Sequence, residues 1–328
     1  MKRNWLIRFC AVVCVLSVAL VSACVWYNRF LDRVLGSITP VVPSEEQNSF
    51  TLDPWASLPD QIEWDEEGLP ILCDTQDVIN ILLIGSDARA PGEPSRSDVI
   101  MLFSVNRMSK KIVLSSVLRD IYVSMDGHRD NKLNSAYAFG GAEYLCTVLR
   151  DNFNLDIRYF VIVDFTAFVD VLDLLGGVDL SVTVAEASAM NELMDHVSEH
   201  IPLCDGVVHL NGRQSLAYVR DRSSAMGDFD RTERQRKLLN ALFQKLKDNT
   251  LTKLYSLTDA LLPHVETNIP FAELKAHVGL VAEYFDYSFV SCTIPIKGTF
   301  SFDTVRGMSV IRVDFKDNIC YLYEQIYS

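Results

Sequence analysis

The run GDFDRTERQRKLL (227–239) places Arg231, Arg234 and Arg236 within six residues, and AYVRDR just upstream adds Arg220 and Arg222. A guanidinium is a planar fork of donors that matches phosphate oxygens two at a time, so several forks in one place suit a pyrophosphate. Further charges fall where strands and loops meet, away from helix faces: Asp87 and Arg89, Arg96 and Asp98, Arg119 and Asp120, and Lys132 beside Asn134. Asp228 and Gln235 belong to the arginine run itself. Two carboxylates at one site form the oxygen donor set that Mg²⁺ takes, usually shared with substrate phosphates. Metal, arginines and a candidate base together are the parts needed for phosphoryl transfer.

The composition makes the cluster stand out. The 328 residues carry 43 Asp+Glu against 30 Lys+Arg, a net charge of −13 with a pI near 4.9. Such a field does not attract phosphate, which argues against nucleic acid as a partner and requires any anion site to be built locally. A hydrophobic content of 49% and a charged content of 22% describe a globular chain, long enough for one large domain with attachments. Taken singly, each arginine is expected in solvent, in an ion pair of little energetic worth. On one helix, Arg231 and Arg234 share a face that Arg236 leaves. The set carries the argument, not its members.

The elements that must position these residues read as an α/β chain. VINILLIGSD (78–87) is a buried apolar run ending in a turn, and SDVIMLFSVN and KIVLSSVLRDIYV follow as strands rich in Val and Ile. Residues 134–153 space their apolar positions as a helix does, YFVIVDF (159–165) is a strand, and 165–177 is a helix closed by glycine. VDLSVTV reads as a strand, and QSLAYVRDR sits near the rim. The arginine run opens a helix with Asp230 as its expected N-cap and Glu233 three residues on, a capping-box spacing. Helical sequence is expected over 251–286, then short strands at FVSCTIP and SVIRVDF. Strands mixed with helices on this scale give a layered α/β domain, whose strand ends and loops hold binding groups.

The N-terminus bears on location. Residues 9–27, FCAVVCVLSVALVSACVWY, carry no charge and as a helix span roughly 28 Å, close to a bilayer core. Lys2, Arg3 and Arg8 precede the span, and Trp5, Trp26 and Tyr27 flank it. The expected arrangement is a cytoplasmic tail over 1–8, one transmembrane helix over 9–27 and the bulk of the chain outside the cell membrane. Arg29 and Arg33, on the far side, work against this orientation. A cleaved signal peptide and a lipoprotein box ending at Cys24 are the alternatives, and both also place the rest outside. Pro40, Pro43, Pro54, Pro59 and Pro70, with the acidic run at 63–67, make 28–76 an extracellular stalk with little regular structure.

Two further signals need weighing. The eight cysteines include no CxxC pair, so small buried hydrophobes are the expectation for those beyond the span, with room for one unassigned disulfide. HVSEH (196–200) fits H-x-x-E-H: on a helix, His196 and His200 would lie one turn apart as zinc ligands, with Glu199 as base. Five residues match easily by chance, no third ligand is evident, and Pro202 limits the helix.

Seven runs in order, LLIGSDAR, RSDVIML, SVLRDIYV, KLNSAYAFGG, LLGGVDL, LNGRQSLAYVRDR and GDFDRTERQRKLL, resemble the LytR-CpsA-Psr family and cover about residues 78–240. The resemblance implies an α/β/α sandwich with a central mixed sheet and a catalytic domain over 77–328. It implies a phosphotransferase that moves a glycopolymer from a polyprenyl-pyrophosphate carrier to peptidoglycan through a phosphodiester and releases polyprenyl phosphate. Teichoic acid, capsule and secondary wall polysaccharide are all compatible cargoes. By motif match, Asp87 and Asp98 would hold Mg²⁺. Arg96, Arg119, Arg220, Arg222, Arg231 and Gln235 would hold the pyrophosphate, with Arg89, Lys132 and Arg234 in support. Arg119, Arg220, Arg222 and Arg231 would also act in catalysis, and Asp228 would support the arginines or assist the acceptor hydroxyl. Apolar residues of the sheet and helices would form a tunnel for the lipid tail. The alternative within this reading is a non-catalytic regulator that binds polyprenyl phosphate or wall polymer. One departure is visible: Leu118 stands where the family usually has proline before its Arg-Asp pair, which implies altered loop geometry with the charges kept.

Overall fold

Alternation of buried and half-buried residues sets the central strands. Along β2 (Val78–Ser86), Val78, Asn80, Leu82 and Ile84 are buried while Ile79, Ile81 and Leu83 are half-buried. β3 (Ser97–Asn106) pairs antiparallel with β2, and β4 (Lys111–Val117) antiparallel with β3. β4 is buried along nearly its whole length, as a strand covered on both faces must be. The computed structural model describes residues 39–40, 66, 68–70, 77–86, 97–194, 196–221, 228–247, 265–270, 283–284 and 286–327. The apolar span 9–27 and Cys24 lie outside these residues, and among those described no helix is long and apolar enough to cross a membrane.

Among the described residues the sheet has seven strands in a mixed order. From one edge they are β1 (Thr39–Pro40), β10 (Val265–Thr267), β7 (Tyr159–Asp164), β2, β3, β4 and β11 (Ser288–Ile294). β7, β2, β4 and β11 run the same way, and β3 runs against them. Two residues of the expected stalk thus join the sheet, and Val265–Thr267 is a strand where a helix was expected. Three residues are too few to show a period. Three small two-stranded pairings complete the strand set: β5 (Tyr122–Val123) with β6 (Asn131–Lys132), β8 (Val178–Val182) with β9 (Gly206–Leu210), and β12 (Phe300–Val305) with β13 (Met308–Val313).

Helices cover both faces. α1 (Leu133–Phe153) and α6 (Phe315–Tyr327) pack on one face in a core with Leu82, Ile84, Leu102 and Val113. α5 (Asp228–Lys247) sends Phe243 to the other, where it stacks on Phe289 at 4.6 Å beside Val105 and Ile112. A second core joins α2 (Phe165–Leu174), α3 (Val184–Glu192) and α4 (Gly212–Arg220) to β8 and β9 around Leu172, Met190 and Tyr218. The expected helix over 134–153 is present, but Gly140 and Gly141 leave helical geometry and kink it. Cys146, Cys204, Cys292 and Cys320 are free thiols, two of them buried, so no disulfide forms among the described residues.

The β2–β3 ladder carries one irregularity. Gly85 pairs with Val99 and Ser86 with Ser97, so Asp98 is the extra residue of a β-bulge. Gly85 makes this approach feasible, because a Cβ at that position would lie 2.8 Å from the Val99 Cβ. Replacing Gly85 with alanine forces the two strands apart. The expected cost is about 1–3 kcal/mol, read as a lower urea midpoint with an unchanged slope; an unaltered midpoint would show that the bulge does not need glycine.

Candidate functional site

Strand direction gathers the site. The C-terminal ends of β2, β4, β7 and β11 and the first residues of β3 all lie at one end of the sheet. The β3–β4 ladder ends at Met101↔Ser116, with Asp98 three residues before that pair on one strand and Arg119 three residues after it on the other. β2 leaves the sheet at Ser86, the partner of Ser97 and the residue before Asp87. Asp98 sits on the bulge, and a pair of carboxylates is the oxygen donor type that Mg²⁺ takes. Asp87, Arg89, Arg96 and Arg222 lie outside the described residues, and Asp98 and Asp228 are described for their backbone only. Among the described residues no group of three or more His, Cys, Asp or Glu side chains is placed to hold a metal.

The turn after β4 is held from three sides. Leu118 is buried, and its N–H donates to the Ile294 carbonyl at 2.9 Å. The Arg119 carbonyl accepts from Asn134 N at 3.1 Å and the Ile121 carbonyl from Leu133 N at 2.8 Å, which satisfies donors that the start of α1 would otherwise leave open. The Asp120 carbonyl accepts from Ile311 N at 2.9 Å, and the Asp120 carboxylate pairs with Lys132 Nζ at 2.9 Å. Lys132 is therefore engaged beside Arg119. The leucine in place of proline lengthens the β4–β11 hydrogen bonding by one residue, a bond that proline, having no N–H, cannot make.

The arginine helix departs from expectation in two ways. α5 already includes Asp228, so Asp230 is a first-turn residue and not the N-cap. The arginines are also far from solvated. Arg231 and Arg234 are each 3% exposed and Gln235 is 8% exposed, while Arg220, at the end of α4, is exposed. Arg234 turns to the second core: its Nη2 donates to the Asp221 carbonyl at 2.5 Å and lies 3.4 Å from the Asp221 carboxylate, and its Nη1 is 3.7 Å from Glu186. Glu186 also closes the α3 capping box through Thr183. Burial first, then the Glu186 carboxylate, hold the Tyr218 phenol above its ordinary range, with Arg234 pulling the other way. Arg236 faces elsewhere, within electrostatic reach of Cys292 and Tyr321. Burial raises the Cys292 thiol, against a hydrogen bond to Ser115 and the charge of Arg236.

Several motif residues prove to serve the scaffold. Asn211 caps α4 in a capping box with Gln214. A Cβ at Gly212 would meet the Val169 carbonyl at 2.4 Å, and one at Gly177 the Leu210 carbonyl at 2.5 Å. HVSEH does not make a helix turn: Val197–Glu199 is a three-residue 3₁₀ element, His196 and His200 flank it with extended backbone, and Glu199 pairs with Arg213 at 3.2 Å. The one-face geometry that two zinc ligands would need is therefore missing. A groove of about 470 Å³ lies between β8 and α5, lined by Asp179, Leu180, Glu186, Lys237, Ala241 and Gln244.

The sequence profile of the LytR_cpsA_psr family matches residues 49–317, most of the chain, and the protein belongs to that family. Regulatory protein MsrR of Staphylococcus aureus (strain COL) is 33% identical over 226 residues, 68% of this chain and 66% of that protein. The polyisoprenyl-teichoic acid–peptidoglycan teichoic acid transferase TagT of Bacillus subtilis (strain 168) is 31% identical over 210 residues, 62% of this chain and 63% of that protein. The chain thus spans just under two thirds of the length of these curated relatives. Among solved structures, TagT bound to LI-WTA superposes with a TM-score of 0.64 at 25% identity, covering 85% of this chain and all of that one.

The Arg234 cluster makes a direct prediction. Arg234→Met leaves the buried Asp221 carboxylate without its guanidinium and is expected to cost about 3–5 kcal/mol in urea unfolding. Adding Asp221→Asn should recover part of that loss. Losses that simply add would show that the pair is not coupled.

Proposed function

We propose that the protein is a membrane-anchored phosphotransferase that moves a glycopolymer from a polyprenyl-pyrophosphate carrier to peptidoglycan. Residues 9–27 are the anchor in this reading, and the domain after the stalk works outside the cell. What supports it is that the Arg119 turn and the Asp98 bulge lie at one end of the sheet, and that α5, which bears buried Arg231, packs through Phe229 on the hairpin that bonds the Asp120 carbonyl. Family membership and the transferase name of TagT point the same way.

The acceptor hydroxyl oxygen forms a bond to the glycan-bearing phosphorus, and the bridging P–O bond breaks. The electron pair leaves with polyprenyl phosphate, and the hydroxyl proton passes to a base or to solvent. Arg119, Arg220, Arg231 and Gln235, with Arg96 and Arg222, hold the two phosphates and meet the charge that grows on their oxygens. Arg89, Lys132 and Arg234 support that set; Lys132 does so by pairing with Asp120, and Arg234 by fixing α5 to the second core. Asp228, at the start of α5, is positioned in sequence to support the arginines or assist the hydroxyl. A Mg²⁺ ion held by Asp87 and Asp98 would neutralise charge on the phosphate oxygens when bound. A second reading, a regulator that binds the same lipid or polymer without turnover, draws support from the name of MsrR.

The test incubates the full-length chain in mild detergent with a lipid-pyrophosphate-linked saccharide, a peptidoglycan oligomer and Mg²⁺, and looks for the phosphodiester product by mass spectrometry. Product is expected, and Asp98→Ala should reduce it by roughly a hundredfold or more, as should EDTA. Polyprenyl phosphate released without transfer would instead indicate a pyrophosphatase. Lipid bound with no turnover would indicate the regulator.

A further inference from the structure

An exposed aromatic group sits between the two arginine-bearing segments. Phe229, in the first turn of α5 and two residues before Arg231, stacks on Phe300 of β12 at 4.7 Å. Phe302 meets both rings edge-to-face, at 6.4 Å and 5.7 Å, yet remains 65% exposed. The cross-strand partner of Phe302 is Ile311, whose N–H donates to the Asp120 carbonyl, one residue from Arg119. The group is therefore tied to the proposed pyrophosphate site from both sides, through Arg119 and through Arg231. Neither Phe229 nor Phe302 belongs to the chemistry of the phosphates.

Leaving a large ring in water is unfavourable, and an exposed aromatic beside a polar site commonly marks a binding surface. The neighbours of Phe302 indicate what binds. On a two-stranded ladder, residues two apart and directly opposite share a face, so Thr304 and its partner Ser309 present exposed hydroxyls on the same face as Phe302. One open ring with hydroxyls beside it, and no basic residue on that face, suits neither a lipid surface nor an apolar protein patch. It suits a pyranose, whose axial C–H groups lie on the electron-rich face of a ring and whose hydroxyls bond to serine and threonine.

We infer that Phe302, propped by Phe229 and Phe300 and flanked by Thr304 and Ser309, is a stacking platform for a pyranose ring of the saccharide substrate. This rests on the proposed function for its place in the reaction. The ring could belong to the donor, next to its pyrophosphate, or to the peptidoglycan acceptor, and the recognition chemistry is the same.

The experiment measures binding to the full-length chain in mild detergent for three probes: farnesyl pyrophosphate, farnesyl pyrophosphate linked to an N-acetylglucosamine disaccharide, and a peptidoglycan disaccharide-peptide oligomer. Phe302→Ala is expected to weaken at least one sugar-bearing probe by about three- to tenfold and to leave farnesyl pyrophosphate unchanged; Phe302→Trp should restore the loss. Weakening of the linked disaccharide assigns the platform to the donor, and weakening of the oligomer assigns it to the acceptor. Unchanged affinity for both would overturn the platform, and so would an equal loss for farnesyl pyrophosphate with and without its sugar. If the wild type ignores farnesyl pyrophosphate while Phe302→Ala still loses the oligomer, the platform stands and the pyrophosphate reading fails.

Discussion

A guanidinium taken out of water has to be met by carboxylate or carbonyl oxygen, and Arg234 is met by both. Its contacts with Asp221 and Glu186 tie the first turns of α5 to the end of α4 and the start of α3. Everything else at the arginine-rich end depends on that anchorage. Arg220 precedes Asp221, and Arg231 lies one helical turn before Arg234, so the same cluster sets where both can be. Asp221 and Glu186 balance the arginine that builds the scaffold.

The opposite wall is set by backbone, not by charge. The Arg119 turn is held by carbonyl bonds to α1 and β13 and by the Leu118 bond to Ile294. Asp98 is displaced by a bulge that requires Gly85. In the proposed function these are the rigid supports for groups that would meet a phosphate, which needs placement to within about 0.5 Å. Leu118 before Arg119 serves this wall twice: its buried side chain joins the core and its N–H bonds to the Ile294 carbonyl.

Much of this was legible before any coordinates. The apolar run VINILLIGSD, the Val- and Ile-rich SDVIMLFSVN and helical spacing in residues 134–153 marked the central elements, because local sequence decides them. What escaped was decided by tertiary contact. A bulge at Asp98 follows from strand pairing, not from composition. Arg234 looks like any phosphate-binding arginine until Asp221 and Glu186 are brought to it from other elements. Asp230 looks like an N-cap, but the helix already includes Asp228. His196 and His200 have helical spacing, but spacing places two residues on one face only if the backbone is helical, and here it is extended. β12 and α6 gave no signal that singled them out, although β12 carries Phe302. The motif glycines Gly177 and Gly212 could be read as turn residues from sequence, yet their role is close packing against carbonyl oxygens.

In the proposed function, the sheet end between the Arg119 turn and the first turns of α5 binds a pyrophosphate. The decisive measurement is a crystal structure with a short prenyl pyrophosphate bound. The two phosphates are expected within hydrogen-bonding distance of Arg119 and Arg231, with Arg234 still held by Asp221. A pyrophosphate bound elsewhere, or one that draws Arg234 away from Asp221, would contradict it.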